Sequence, residues 1–378
     1  MPLFGKTESY LGVDIGAGGI KFVEFKKTKG RPQLWTYGMI HEDMDIHVGA
    51  HEKTPEELVK QEEQAESREP VPAKAAGPID IADPRIDRYA ALLKELLKQG
   101  RAQSKRVTAS LPVSHVFHAV VTLPKVDKKE LNHHVQAKVK KMLPRPIEEM
   151  QVVHEVIPPR TPGTEAKDMK VLVTAAPREL VAFYTAIFQR AGLQLEELET
   201  EAFALERSLV GKDTATVLLA DIGAERSNFF IVDQGLPITH RSLQIGGNQI
   251  DRLFARYLDV DPDMVGQLKQ DVSRLGQKIP VEPFMSVVEP IAKEIQYSID
   301  LFLHQSGNEA KQPEKIILTG GSALFPPILS FLQQSSGIKT FIGDPWGRVV
   351  YQDGLKPLLD PIGPRMAVAI GLALRNIV

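Results

Sequence analysis

The sequence predicts an α/β fold made of two similar halves facing each other across a cleft. Three observations carry that expectation. Residues 10–25 read as two short strands joined by a tight glycine turn, Asp14-Ile-Gly-Ala-Gly-Gly19. The same tetrapeptide returns at Asp221-Ile-Gly-Ala224, again between two apolar strands, and an internal repeat of this kind implies two copies of one supersecondary unit. A third glycine turn, Gly320-Gly321-Ser322, closes the short apolar run 315–319 and opens a helix.

Composition bounds the rest. With 378 residues the chain has room for two or three domains with substantial cores. A net charge of −2, with 25% charged residues, offers no basic surface for nucleic acid. The absence of cysteine excludes disulfides, thiol chemistry and cysteine-ligated metals, and fits a reducing compartment. The N-terminal residues carry no signal-peptide apolar core, and no run reaches the about 20 apolar residues that cross a bilayer. The expectation is a soluble intracellular protein without direct membrane insertion.

In chain order, 10–15 is a buried strand. Residues 20–25 alternate, with Ile20, Phe22 and Val23 inward and Lys21 and Glu24 outward. Gly16, Gly18 and Gly19 permit positive φ and close backbone approach, so that with Ala17 their amides can form a concave anion site. Asp14, at the strand end, could hold a divalent metal through water, and Lys21 could place one charge on a phosphate. Residues 33–40 form a third strand. Residues 41–84 are acidic, rich in Pro, Ala, Glu and Lys and without periodicity, which predicts a disordered or loosely helical insertion with a turn or two of helix at 54–64. Residues 87–99 form an amphipathic helix stopped by Gly100, and 85–105 rejoin 1–40 in the first half.

Residues 106–192 read as an inserted α+β module. Its strands fall at 106–111, 115–123, 150–157 and 170–176, its helices at 127–142 and 178–191, and a polar loop at 158–167. Residues 193–213 return to the first half. The second half, 214–362, begins with strands 215–220 and 228–232 around Gly223 and Ala224; Ser227 and Asn228 could donate to phosphate, while Glu225 and Arg226 face solvent. Gly246-Gly247 opens a helix at 248–258 whose first amides are free for phosphate. A polar helical stretch, about 260–312, flanks the cleft. The small-residue helix in 363–378 packs at the domain junction.

Turns of these types in this order resemble the phosphate-1, phosphate-2 and adenosine motifs of the actin-like ATPase superfamily (actin, heat-shock chaperones, sugar kinases), a duplicated ribonuclease H-like fold. Within it the whole chain resembles the PilM family of type IV pilus assembly, with the cell-division protein FtsA a structural cousin, and the inserted module resembles their 1C subdomain. The resemblance implies ATP or ADP in the cleft, with Mg2+ approached by Asp14 and Asp221 through water, as magnesium's reluctance to dehydrate favours. It assigns Lys21 to a phosphate, Gly320, Gly321 and Ser322 to base and sugar, and Lys293 with Glu294 to the ribose. Gln296 stands where relatives often carry arginine. Glu201 falls where relatives place a water-orienting or metal-facing residue; with no strong general-base constellation, turnover is slow at most and the nucleotide is a conformational ligand.

The same resemblance implies a partner: the N-terminal cytoplasmic peptide of a PilN-like bitopic inner-membrane protein. An extended peptide would gain main-chain hydrogen bonds in a groove between the first half and the module, near Val116, Val121, Val139, Leu143 and Arg145. Self-association and contacts with other pilus platform or motor components belong to the same expectation, as does a cytoplasmic location at the inner membrane. Two other readings stay open: an FtsA-like filament protein, which needs a C-terminal amphipathic membrane helix, and a small-molecule kinase, which needs an acceptor pocket and a base aspartate. His133-His134 are adjacent, point to different sides and make a poor metal pair. Lys138, Lys140 and Lys141 with Arg145 form a basic run, read as a solvated face with anionic lipid as the alternative.

Overall fold

Two five-stranded sheets of matching strand order form the centres of the two halves. The computed structural model describes residues 8–48, 83–157, 168–261, 264–266, 268–269, 271, 279–305 and 308–377. In the first half, β1 (Ser9–Gly16), β2 (Gly19–Lys26) and β3 (Gln33–Ile40) form an antiparallel meander, and β4 (Arg106–Leu111) and β8 (Gln194–Thr200) extend it in parallel, giving the order β3-β2-β1-β4-β8. The second half repeats this with β9 (Val217–Ile222), β10 (Ser227–Asp233), β11 (Leu236–Leu243), β12 (Lys315–Thr319) and β13 (Lys339–Ile342), in the order β11-β10-β9-β12-β13. A separate three-stranded sheet, β5-β7-β6, is formed by β5 (Phe117–Pro124), β6 (Met150–Ile157) and β7 (Asp168–Pro177).

The helices that matter for the cleft are α1 (Pro84–Gln99), α2 (Lys128–Val139), α3 (Arg178–Arg190), α4 (Glu201–Leu205), α5 (Gly247–Leu258), α6 (Met285–Leu303), α7 (Pro326–Ser335) and α8 (Gly363–Leu374). Asp83 starts α1 by accepting from the Arg85 amide at 2.9 Å, ahead of a proline at the first helical position, where no amide is required. α8 is buried at every residue except Arg365 and packs against cores of both halves. Its fit depends on two glycines. A Cβ on Gly12 of β1 would stand 2.2 Å from Ala369 O, and one on Gly371 would stand 1.8 Å from Ala204 O. The helical stretch Asp353–Leu374 is long and apolar enough to cross a membrane, but 67% of its most apolar 18-residue window is buried inside the protein, which accounts for its composition as core.

Several expectations need correction. β2 is not amphipathic: α8 covers one face and α1 the other, so Phe22, Val23, Glu24 and Phe25 are all buried. Glu24 is satisfied inside by the amides of Gln103 (2.7 Å) and Ser104 (3.0 Å). The inserted module is smaller than 106–192. β4 lies inside the first-half sheet, paired with β1 and β8, and α3 packs on α1 in the first-half core through Phe183 and Tyr184. The acidic insertion begins later than residue 41, because Met44 and Ile46 are buried in that same core and Tyr89 Oη donates to Asp45 O at 2.9 Å. Residues 49–82, the helix expected at 54–64 and the polar loop 158–167 lie outside the described residues.

Candidate functional site

The two acidic turns meet at the mouth of a cleft of about 630 Å³ between the halves. A Cβ on Gly18 would come within 3.1 Å of the Cβ of Ala224, so the first turn abuts the second. Asp14, Gly16, Ala17, Gly18, Lys21, Glu201, Asp221, Gly223, Ala224, Asn228, Gly320, Gly321 and Ser322 all line this space. Gly320 has φ +90, and a Cβ there would sit 2.3 Å from Asp221 Oδ1; only glycine lets the third turn pass this close to the carboxylate.

Three carboxylates converge at the floor. Asp14 accepts from Ser110 Oγ at 2.8 Å and from Lys21 Nζ at 3.1 Å, its partner directly across the hairpin. Asp221 faces Asn228 at the matching register position and has no side-chain cation among the described residues. Glu201 begins α4 and takes only a long bond from the Val113 amide, 3.4 Å. Burial first, then the charges of Asp14 and Asp221, push the Glu201 carboxyl up to about 8. Burial and the Asp14 charge push Asp221 up to about 6, with Lys21 opposing. Near neutral pH this floor therefore binds protons that a cation would displace.

Other predicted residues are elsewhere. Gly19 (φ +120) shapes the turn, its missing Cβ leaving room for Ile40 O. Ser227 is fully buried and donates to Ile245 O at 2.7 Å, so its hydroxyl is committed. The amides of Gly247 and Asn248 are not free: they donate to Gly223 O and Ala224 O, both at 2.8 Å. Gly246 and Gly247 thus brace the second turn from behind, where a Cβ on Gly246 would meet Ala224 O at 2.5 Å. Lys293 points away from the cleft and pairs with Glu289 at 2.8 Å, while Glu294 pairs with Arg241 at 2.7 Å. Gln296 donates along the helix to Asp300 at 2.9 Å.

In their place the structure supplies residues the sequence did not single out. Lys269 is buried beside the third turn, donating to Asp251 at 2.5 Å and Ser322 Oγ at 3.4 Å, and burial lowers its pKa. Arg365 reaches the cleft from the start of α8 and contacts His41; a Cβ on Gly321 would stand 3.6 Å from its Nε. As the single charge in the apolar run 363–374, Arg365 carried a legible signal; Lys269, within a polar stretch, carried none. Glu225 and Arg226 are half-exposed and line the cleft, where Glu225 Oε2 meets His47 Nε2 at 3.1 Å and His47 Nδ1 meets His115 Nε2 at 3.1 Å.

A second cavity, about 230 Å³, opens at the root of the inserted module between Val48, His115, Pro144, Arg145, Met150 and Pro177, and shares Ser114 and Arg226 with the main cleft. Of the expected groove residues only Arg145 lines it, and Arg145 pairs with Glu179 at 2.5 Å. Val121 and Val139 are module core, Leu143 packs against that core, and Val116 is buried in the first-half core. Apolar character marked them in the sequence, but Val121, Val139 and Leu143 use it to hold the module together and Val116 to anchor in the first half.

Duplicated sheets of this order, each opening on an Asp-x-Gly turn and facing the other across a cleft with α8 behind, define the actin-like fold. The chain belongs to the PilM family: the family model described as type IV pilus assembly protein PilM matches residues 62–377. Among solved structures it is similar to a PilM–PilN type IV pilus biogenesis complex, at TM-score 0.74 and 24% identity over 99% of this chain and 100% of that one. It is also similar to the ethanolamine utilization protein EutJ from Carboxydothermus hydrogenoformans, at TM-score 0.50 and 14% identity over 98% and 90% of the two chains.

Proposed function

We propose that this chain is a nucleotide-responsive scaffold of type IV pilus assembly that binds the N-terminal cytoplasmic tail of a PilN-like membrane protein. The observation that carries the nucleotide half is the paired turns: Gly16–Gly18 of one half and Gly223–Ala224 of the other line the same cleft as Asp14, Asp221 and Glu201. Bound Mg-ATP would supply a divalent charge to those carboxylates. The residues present fit it, because Gly18 and Gly320 leave the room a Cβ would fill and three carboxylates share a site too acidic to hold all their charge unaided. Among the described residues no three His, Asp or Glu side chains are grouped as direct metal ligands, and a magnesium ion held by Asp14 and Asp221 would keep water in its shell.

In this reading Lys21 places its charge on a phosphate. Lys269 with Asp251, and Arg365 beside Gly321, hold the nucleoside end that was expected to fall to Lys293. Glu201 would orient water there with a cation bound, and turnover would be slow at most. Support for the tail comes from family membership and from the similar complex, whose partner is PilN; the small cavity at the module root, beside Arg145, is the described opening that best suits an extended peptide. The scaffold then sits in the cytoplasm at the inner membrane. Calorimetric titration with the cytoplasmic peptide of the neighbouring bitopic pilus protein, with and without Mg-ATP, tests it. Micromolar 1:1 binding is expected; no binding in either state removes the scaffold reading.

A further inference from the structure

We propose that the outer face of the inserted module, built on α2, is an electrostatic docking surface for an anionic phospholipid membrane. Only Leu131, Val135 and Val139 turn into the module core, leaving the rest of α2 to solvent. Between residues 125 and 143 the chain carries Lys125, Lys128, Lys129, Lys138, Lys140 and Lys141, all exposed, against the carboxylates Asp127 and Glu130. A chain of net charge −2 thus concentrates positive charge on one small module. Among the described residues the sole ion pair these lysines make is Lys140 with Glu148, at 4.0 Å.

The chemistry of the face selects the partner. Every cation is lysine, a compact hydrated point charge suited to diffuse attraction, and none is arginine, whose fork would suit bidentate recognition of one carboxylate or phosphate. Lys128, Lys129 and Lys138 lie on α2, Lys125 just before it and Lys140 and Lys141 just after it, and all six are exposed. Such a surface matches a plane of charge better than an acidic peptide. It is continuous in sequence with Pro144 and Arg145, which line the small cavity, so a tail leaving the membrane and a module resting on it would share one side of the protein. The inference extends the tail-binding reading without depending on it.

Co-sedimentation of the full chain with vesicles tests this with no partner peptide present. Phosphatidylcholine vesicles containing 30 mol% phosphatidylglycerol should retain the protein at low salt, pure phosphatidylcholine should not, and added salt should release it. At roughly fivefold per lysine, K129E/K138E/K140E/K141E lowers partitioning by several hundredfold or more. The milder K129Q/K138Q/K140Q/K141Q follows in the same direction, and Lys94→Glu with Lys98→Glu on exposed positions of α1 leaves partitioning unchanged. Failure of the wild type to bind anionic vesicles, equal binding to neutral ones, or wild-type binding by folded quadruple variants overturns the proposal. An acidic protein partner in place of lipid would leave both vesicle types unbound, and peptide calorimetry, run separately, keeps failure here distinct from failure of the scaffold reading.

Discussion

The two acidic turns share one tetrapeptide and one hairpin register, yet they hold their aspartates differently. Across the first hairpin Asp14 faces Lys21; across the second, Asp221 faces Asn228. Lys21 and Ser110 satisfy Asp14 within the first half. Asp221 has a neutral amide opposite, and burial first, then the Asp14 charge, raise its pKa to about 6 against the more distant Lys21. Bracing does not differ in kind: the Asn248 amide donates to Ala224 O at 2.8 Å and the Met44 amide donates to Ala17 O at 2.9 Å, so the contrast lies in the side chains that face the aspartates. Duplication has thus left one half with the resident cation and the other with a carboxylate whose charge must be met from outside. In the proposed reading, a divalent ion brought by the nucleotide would meet that charge.

The comparison breaks most sharply at Lys21. Lys21→Met leaves a nearly buried aspartate without its cation and should cost about 3 kcal/mol of unfolding free energy, whereas Asn228→Ala should cost less than about 1 kcal/mol. Denaturant midpoints for the two variants decide, and equal costs would mean the halves are electrostatically alike. Mg-ATP at a hundredfold excess over Kd should stabilise the wild type by about 2.7 kcal/mol. Asp221→Asn should lose most of that shift; a full shift in the variant would show that Asp221 does not face the metal.

The pH dependence sharpens the same contrast. Glu201 and Asp221 carry raised pKa values in the fold, so the stability they contribute is complete below their unfolded values and is lost as pH rises through about 6 and then about 8. The nucleotide-free protein should lose roughly 4–5 kcal/mol from pH 5 to 8.5, Glu201→Gln should remove most of that loss and nearly all of it above about pH 6.5, and Asn228→Lys, which copies the first hairpin, should remove the smaller share below about pH 6. Thermal melts across that range are the check; a flat wild-type profile would refute the shared charge. Mg-nucleotide binding near pH 7 should release about one proton, visible as a dependence of calorimetric enthalpy on buffer ionisation heat. Smallest of all, Lys293→Ala should change stability by no more than about 0.5 kcal/mol and leave nucleotide affinity alone.

The sequence by itself determined the duplication, the strand-turn-strand units and the residues at the tips of the turns. These are local: Asp14-Ile-Gly-Ala17 and Asp221-Ile-Gly-Ala224 carry their geometry in glycine freedom and apolar runs, which need no distant partner to be read. Tertiary structure alone decided what each nearby side chain does. Ser227 and the Gly247 amide look available until β10 and α5 close on the turn and take their hydrogen bonds. Glu24 alternates like a surface residue until α1 and α8 cover both faces of β2. Val121 and Val139 look like groove residues until the small module uses them as its core. Lys269 and Arg365 enter the cleft from segments far along the chain, and Lys293 leaves it because α6 turns Val287, Ile291 and Ile295 inward instead. A turn is set by its own few residues, whereas burial and hydrogen-bond partnership are set by whichever distant segment packs there, and one-dimensional spacing carries no record of that neighbour.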